Sequence, residues 1–155
     1  MVNQNIDTPT TTPESTVPHR RFTILVTDDD KGSRETLASL LTDRGFEAIK
    51  ATSGEEAIEI ARVETIHLVF FDMHMPRMTG LEALEQVRVF NELLPAILMT
   101  AAATRDVIRQ ALQAHVYTVL PKPLNKNLVF HTLARALDLV YGPLPEPEPP
   151  PPPTP

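Results

Sequence analysis

The sequence predicts an α/β fold, a doubly wound five-stranded parallel sheet in a (βα)5 arrangement with helices on both faces. Strand-like and helix-like segments alternate five times along the chain, and such alternation is typical of parallel sheets covered by helices. The middle strand segments contain the runs LVFF and AILM, which are apolar throughout. Strands buried on both faces have this composition, so we expect the central strands inside the protein.

The five strand segments are short and either β-branched or wholly apolar, which favours strands. They cover residues 21–27, 46–52, 66–72, 95–100 and 116–120. One helix segment follows each strand. The helix segments cover residues 32–45, 53–64, 79–91, 104–115 and 125–141.

The helices are predicted from apolar spacing and from capping signals. Three leucines share one face of the first helix: Leu37, Leu40 and Leu41. The second and third helices open with residue pairs at capping-box spacing, Ser53 with Glu56 and Thr79 with Glu82. The last helix carries a core stripe and a second apolar stripe roughly 100° around it, namely Val129, Leu133, Ala136 and Val140, then Phe130, Ala134, Leu137 and Tyr141. We interpret the two stripes as one broad buried face, with a partner surface as the alternative.

Composition shifts divide the chain into three parts. Residues 1–20 are rich in Thr and Pro without apolar periodicity, which predicts a disordered leader. Residues 21–141 are the predicted folded domain. Residues 142–155 hold nine of the 16 prolines, which predicts an extended polyproline II tail or linker.

The composition excludes several classes of function. The chain has no cysteine, which excludes disulfides, thiolate zinc sites and cysteine nucleophiles. A net charge of −6 argues against direct nucleic-acid binding, because phosphate contacts need clustered Lys and Arg. No apolar run is long enough for a membrane span or for a signal-peptide core, so we expect a cytoplasmic protein without membrane contact.

Acidic, hydroxyl and amino side chains occur where the predicted strands end. The first strand runs into Asp28–Asp30, the third ends in Asp72, the fourth in Thr100, and Lys122 follows the fifth. Binding sites of open α/β sheets form beyond the carboxyl ends of the strands. Taken singly, each residue is more simply a helix cap, a turn residue or a surface lysine. Their occurrence together at one end of four strands favours a site.

These residue types suit phosphoryl chemistry with a divalent cation. Neighbouring carboxylates raise one another's pKa unless a cation lies among them, and Mg²⁺, which takes six oxygen ligands, fits such a set best. The Thr100 hydroxyl and the Lys122 ammonium would then hold oxygens of a phosphoryl group. The carboxylate of Asp72 would be the nucleophile.

Four segments carry a resemblance to a known family: ILVTDDD, FFDMHMPRMTG, ILMTA and LPKP. On these motifs and their spacing, residues 21–141 resemble a response-regulator receiver domain of the CheY-like class of two-component signal transduction. The resemblance implies that Asp72 is the phosphoacceptor. It also implies a Mg²⁺ site made by Asp29 as a direct ligand, Asp28 acting largely through water, Asp72 itself and the backbone carbonyl of His74.

The same resemblance assigns the remaining motif residues to the phosphoryl group. Thr100 would donate to one phosphoryl oxygen, and the small Ala101 leaves backbone access beside it. Lys122 would pair with another oxygen, and the Lys122–Pro123 bond is expected to be cis, as in the family. Asp30 has no role in this mapping, and we interpret it as negative charge at a helix N-terminus.

Two positions depart from the family pattern. Receivers carry Tyr or Phe three residues before the lysine as a switch, and that position is Val119 here. Tyr117 lies two residues earlier, on the same face of the strand under period-two alternation but one pleat farther from the lysine, so we expect the aromatic switch to be absent. His115 occupies a position where the family has glycine, and the cost of a left-handed backbone leads us to expect a rebuilt turn.

These features predict a phosphorylation-dependent signalling module rather than an enzyme with an external substrate. The expected donors are a histidine kinase or a histidine phosphotransfer protein, and the expected output is contact with an unknown downstream protein. The resemblance also allows a homodimer through the face of helix 4, strand 5 and helix 5. The alternative is a phosphorylation-silent receiver fold that acts as a protein-interaction scaffold.

Two enzyme or redox classes with related topology fit poorly. A flavodoxin-like protein needs a Gly-, Ser- or Thr-rich donor loop for the FMN phosphate after the first strand, and the DDDK sequence there would repel it. A haloacid-dehalogenase-type phosphatase needs a second aspartate two residues after the nucleophile, and His74 occupies that position.

Overall fold

The strands and helices form in the order that the sequence predicts. In the computed structural model, which describes residues 21–143 and 150–154, the strands are β1 (Thr23–Thr27), β2 (Glu47–Ala51), β3 (Leu68–Asp72), β4 (Ala96–Thr100) and β5 (Thr118–Pro121). The helices are α1 (Lys31–Asp43), α2 (Gly54–Val63), α3 (Gly80–Val87), α4 (Arg105–Gln113) and α5 (Lys126–Tyr141).

The five strands form one parallel sheet in the order β2-β1-β3-β4-β5. This arrangement confirms the predicted doubly wound sheet. The register places Thr27 opposite Phe71, Asp72 opposite Met99, and Thr100 opposite Pro121. The carboxyl ends of β1, β3, β4 and β5 therefore meet along one edge of the sheet.

Each face of the sheet has its own hydrophobic core, because side chains alternate between faces along a strand. Leu68 and Phe70 of β3 point towards α1 and α5, whereas Val69 and Phe71 point towards α2, α3 and α4. Every residue of β3 and β4 is buried, which confirms the prediction from their unbroken apolar runs. Burial of the Phe70 and Phe71 side chains stabilises the fold by roughly 2–3 kcal/mol each.

Side-chain caps explain where the helices begin. The five N-cap residues each accept a hydrogen bond from a backbone N–H three residues onward: Asp30, Ser53, Thr79, Thr104 and Asn125. The predicted capping box of Thr79 and Glu82 is complete. At Ser53 only half of the predicted box forms, because the Glu56 carboxylate accepts from the N–H of Thr52 rather than from that of Ser53.

Two helix predictions need correction. The third helix ends at Val87, earlier than predicted, since the N–H groups of Val89 and Phe90 bond the carbonyls three residues back, of Gln86 and Val87, in a tighter turn. Ala134 of α5 is exposed, and so is Val140 in its last turn, so neither belongs to the predicted buried face. In that last turn the Tyr141 ring faces the sheet instead, 5.5 Å from the rings of both Phe22 and His67, and a residue 100° away cannot do the same.

The terminal segments fall largely outside the described residues. The leader predicted at 1–20 lies outside them, as do residues 144–149 and 155 of the predicted tail. Residues 150–154 are exposed and have no regular secondary structure. Among the helices that the structure describes, none has the length and apolar character needed to cross a membrane.

Candidate functional site

Four parallel strands bring the predicted site residues to one edge of the sheet. Asp28 follows β1, Asp72 and Thr100 are the last residues of β3 and β4, and Lys122 follows β5. Asp28 and Asp72 are only 1% and 6% exposed. Carboxylates are rarely this buried unless they have partners, so the two aspartates indicate a built site rather than a solvated loop.

Asp28 is held through all of its polar groups. Its N–H donates to the Ala51 carbonyl at 3.2 Å, and its own carbonyl accepts from Nη1 of Arg34 at 2.9 Å. The side-chain Oδ1 accepts from the N–H of Asp30 at 2.9 Å, and Oδ2 accepts from Nζ of Lys122 at 2.7 Å. This buried residue is therefore a fixed part of the site.

Asp72 lies in a less favourable environment. Its Oδ1 accepts a long hydrogen bond of 3.4 Å from the N–H of His74, and its Oδ2 lies 3.5 Å from Nζ of Lys122. Burial raises the pKa of the Asp72 carboxyl from 3.8 to about 7, and the negative charge of Asp28 adds to the rise while Lys122 opposes it. A cation beside Asp72 would relieve this penalty.

Lys122 joins the two buried carboxylates. Burial lowers the pKa of its ammonium, but the hydrogen bond that it donates to Asp28 and the negative charges of Asp72 and Asp28 together raise the pKa by more, so the net pKa is raised. The Lys122 N–H donates to the Thr100 carbonyl at 2.8 Å, which holds the residue at the end of β4. The Lys122–Pro123 bond is cis, as predicted.

The third carboxylate, Asp29, is exposed. Asp28, Asp29 and Asp72 each offer a carboxylate oxygen, and these oxygens lie within 4.8 Å of one another. Oxygen donors in a small cluster suit a hard divalent cation such as Mg²⁺, so the residues present fit the predicted metal. The exposed side chain of His74 is not part of this cluster of described residues.

The hydroxyl of Thr100 is not directed to Asp72 in this structure. It accepts from the N–H of Ala102 at 3.1 Å and donates to the Ala102 carbonyl at 3.2 Å. Thr100 is fully buried, while the neighbouring Ala101 is exposed. The threonine is thus at the predicted edge of the sheet, but its hydroxyl is bonded to the loop that follows β4.

Asp30 has the structural role that its position suggested. Its Oδ2 accepts from the N–H of Ser33 at 2.8 Å, and this hydrogen bond lowers the pKa of the Asp30 carboxyl. The residue is the N-cap of α1. The interpretation of Asp30 as charge at a helix N-terminus is confirmed.

The loop after Asp72 depends on a glycine. A Cβ atom at Gly80 would lie 2.5 Å from the backbone oxygen of Asp72 and 3.0 Å from Cβ of Phe71. These approaches are too close for any other residue without movement of the backbone. Gly80 therefore allows α3 to begin directly against the end of β3.

The structure corrects the expectation that Tyr117 and Val119 lie on the same face of β5. Tyr117 precedes the strand and packs towards α1 and α5, whereas Val119 packs against the opposite core. The two side chains are not on one face, because Tyr117 lies before the strand begins and the period-two rule does not extend to it.

The turn before β5 is not rebuilt. His115 adopts φ 56°, the left-handed conformation that glycine would take. The guanidinium of Arg88 donates to the carbonyls of His115, Ala114 and Leu94. These hydrogen bonds support the strained turn from the end of α3, a stabilising contact that cannot be read from local sequence.

One residue at the site was missed by the sequence reasoning. Arg34 contacts the Asp28 carbonyl, and its side chain is only 12% exposed. A signal for it exists, because a cation in the first turns of a helix opposes the helix dipole. Such a position suggests a specific partner for the guanidinium.

Comparison with known proteins places the chain in a family. The family model for the response regulator receiver domain matches residues 24–134. Among curated relatives, the transcriptional regulatory protein ZraR of Escherichia coli K12 is 33% identical over 77% of this chain and 27% of its own length. The transcriptional regulatory protein PdtaR of Mycobacterium tuberculosis H37Rv is 32% identical over 76% of this chain and 56% of its own length.

Solved structures agree in fold. The CheY-like receiver domain protein of Methanospirillum hungatei JF-1 superposes with a TM-score of 0.74 at 25% identity, covering 77% of this chain and 96% of that one. The chemotaxis protein CheY4 of Vibrio cholerae gives 0.73 at 26% identity, covering 76% and 99%. The chain thus spans nearly all of these two solved chains, but only about a quarter to a half of the curated relatives named above.

Proposed function

The chain belongs to the response regulator receiver domain family of two-component systems, and from this premise we propose that Asp72 accepts a phosphoryl group beside a bound Mg²⁺. The observation that carries the proposal is the pairing of two buried carboxylates, Asp28 and Asp72, with one ammonium, that of Lys122. Asp29 completes the oxygen cluster. In this proposal a nucleophile, a metal site and a cation for phosphoryl oxygens lie side by side.

The metal site is proposed on the same residues. The carboxylates of Asp28, Asp29 and Asp72, with the backbone carbonyl of His74, would hold Mg²⁺. The ion would supply positive charge to the oxygens of the transferring phosphoryl group. The raised pKa of Asp72 supports this proposal. A cation beside the carboxyl would lower its pKa and favour the ionised carboxylate that must attack.

The proposed transfer takes the phosphoryl group from a phosphohistidine of a histidine kinase or a histidine phosphotransfer protein. A carboxylate oxygen of Asp72 attacks the phosphorus, so a P–O bond forms as the P–N bond breaks. The departing imidazole keeps the electron pair of that bond and takes up a proton from solvent. Lys122 neutralises negative charge at Asp72, and its ammonium group moves away from Asp28 to bind the phosphoryl oxygens.

Thr100 is proposed to respond to this chemistry. Its hydroxyl exchanges the Ala102 backbone contacts for a phosphoryl oxygen, and the exposed Ala101 leaves the backbone accessible there. Val119 offers no aromatic ring to follow this movement. The signal therefore passes through the loop after β4 to a downstream protein, with the face of α4, β5 and α5 as the proposed dimer surface.

The domain organisation remains part of the proposal. We assign residues 21–141 to the receiver domain, 1–20 to a leader and 142–155 to a proline-rich tail or linker, in a cytoplasmic protein. The domain acts as a signalling module and turns over no external substrate. Whatever the longer relatives do through their other segments is not carried over to this chain.

The test is phosphorylation by acetyl phosphate with Mg²⁺, followed by intact mass. We expect the gain of one phosphoryl group, lost in Asp72→Ala and lost when EDTA removes the metal. Asp138→Ala is the matched control, because Asp138 is an exposed aspartate of α5 and its loss should leave the mass gain unchanged. An unmodified wild-type chain would overturn the proposal and favour the phosphorylation-silent scaffold.

A further inference from the structure

Arg34 is a basic residue that contacts the backbone of the carboxylate cluster formed by Asp28, Asp29 and Asp72. It is the fourth residue of α1, and its Nη1 donates to the backbone carbonyl of Asp28 at 2.9 Å. The side chain is 12% exposed. Its ion-pair neighbour among the described residues is the exposed Glu35, whose Oε2 lies 4.0 Å from Nε of Arg34. The guanidinium is therefore used chiefly on one backbone carbonyl at the end of β1.

That carbonyl belongs to the peptide group that joins Asp28 to Asp29. A peptide group is planar, so a hydrogen bond to its oxygen fixes the orientation of the whole plane. On one side of the plane, Asp28 is already held by its N–H and by both carboxylate oxygens. On the other side, the plane sets the direction in which the Asp29 side chain leaves the backbone.

Asp29 has no comparable anchor of its own. Its side chain is exposed, and no hydrogen bond or ion pair of that side chain occurs among the residues that the structure describes. Even so, its carboxylate lies within 4.8 Å of the ligand oxygens of Asp28 and Asp72. The position of this carboxylate therefore depends on its backbone. Arg34 holds that backbone on one side, through the Asp28 carbonyl, and the N–H of Asp30 holds it on the other, by donating to Oδ1 of Asp28.

The charge of Arg34 does not explain its place. A cation in the first turns of a helix is unfavourable to the helix dipole, and a guanidinium bonded to the Asp28 carbonyl adds positive charge beside a site proposed for a metal ion. Both effects argue against an arginine chosen for electrostatics. A requirement for a long, rigid donor that reaches the carbonyl explains it instead.

We infer that Arg34 is a positioning residue for the Mg²⁺ site: its hydrogen bond to the Asp28 carbonyl fixes the Asp28–Asp29 peptide and so aims Asp29 at the metal. This inference rests on the metal site of the proposed function. It assigns to a basic residue of α1 a role in metal affinity that acts through Asp29 alone.

The experiment is Mg²⁺ titration of the unphosphorylated chain, followed by amide NMR, for wild type, Arg34→Met and the charge-matched control Arg109→Met. Arg109 lies on α4 with an exposed side chain paired only to Asp106 in the described structure. We expect Arg34→Met to raise the Kd for Mg²⁺ about tenfold, the loss of one charge-assisted hydrogen bond, and Arg109→Met to leave it unchanged. An electrostatic role predicts the opposite sign, since removal of a neighbouring cation tightens metal binding.

A second arm tests the route through Asp29. In the Asp29→Asn background, Arg34→Met should no longer change the Kd, because the carboxylate that it positions is gone. A merely structural role of Arg34 would lower the thermal midpoint while leaving the Kd of the folded protein unchanged. If Arg34→Met fails to fold, Arg34→Gln, which is polar but too short to reach the carbonyl, carries the same expectations.

The outcomes separate the two levels of inference. A wild-type chain that does not bind Mg²⁺ overturns the metal site of the proposed function, and this inference with it. Normal wild-type binding with an unchanged or lower Kd in Arg34→Met overturns this inference alone. A tenfold effect that persists without the Asp29 carboxylate also overturns it, because the residue would then act by another path.

Discussion

The Nζ atom of Lys122 lies 2.7 Å from Oδ2 of Asp28, across 94 positions of sequence. The same ammonium lies 3.5 Å from Oδ2 of Asp72. One cation thus serves two buried carboxylates and is bound more closely by the one that is not the proposed phosphoacceptor. This sharing leaves Asp72 incompletely neutralised, and several measurable consequences follow from it.

Replacement of Asp72 by Asn should stabilise the metal-free protein at high pH. The pKa of Asp72 is raised from 3.8 to about 7 in the folded state, so the folded protein binds more protons than the unfolded chain between these values. Stability from this group is present below about pH 4 and is lost as pH rises through about 7. At pH 8 we expect the free energy of unfolding of Asp72→Asn to be on the order of 2–4 kcal/mol higher than that of wild type.

Urea unfolding in EDTA at pH 4, 6 and 8 measures this difference, and subtraction of the wild-type curve cancels the other titrating groups. The gain should grow from pH 4 to pH 8 and shrink when Mg²⁺ is added to both proteins. A pH-independent difference would show that Asp72 titrates normally in the folded chain.

Removal of the shared cation should destabilise the fold. Lys122→Met leaves two carboxylates buried without their ammonium, and breaking a buried pair costs about 3–5 kcal/mol. Thermal unfolding at pH 8 without metal checks this, with Lys126→Met, an exposed lysine of α5, as the control. Equal midpoints for the two variants would mean that the ion pair contributes no net stability.

Thr27→Val should stabilise the protein. The Thr27 side chain is fully buried at the end of β1, and its hydroxyl has no hydrogen-bond partner among the residues described. Valine has nearly the same shape without the unpaired polar group, whose burial costs about 1–3 kcal/mol. We expect a rise of about 1 kcal/mol in the free energy of unfolding, measured in urea.

The matched control lies in the same strand. The Thr23 hydroxyl donates to the Glu47 carboxylate at 3.1 Å, so Thr23→Val removes a hydrogen bond that exists. That variant should be neutral or slightly less stable. A loss of stability at both positions would indicate that the Thr27 hydroxyl has a partner in solution.

His115→Gly should also stabilise the fold. His115 adopts φ 56°, a conformation that costs most residues but not glycine. We expect a gain of about 0.5–1 kcal/mol in urea unfolding, since the backbone carbonyl bound by Arg88 is retained. Ala114→Gly, one residue earlier at φ −86°, should lose stability, and a similar loss at His115 would contradict the strain.

Much of this arrangement was predictable because it depends on local pattern. Apolar runs identified β3 and β4 as buried strands, and parallel topology then required Asp72 and Thr100 to meet at one edge. The error at Tyr117 shows the limit of such reasoning. The period-two rule holds only inside a strand, and the exact start of β5 at Thr118 could not be read from sequence.

The amino-acid sequence by itself determined the order of strands and helices, the edge at which the acidic, hydroxyl and amino groups gather, and hence the family. Periodicity, capping residues and strand ends are properties of neighbouring residues, so they can be read along the chain. Only the tertiary structure decided which groups are bonded to which. Lys122 pairs most closely with Asp28, the Thr100 hydroxyl binds Ala102, and Arg34 holds the Asp28 carbonyl. These choices depend on rotamers and distances set when remote segments pack together, and no local pattern of residues encodes them.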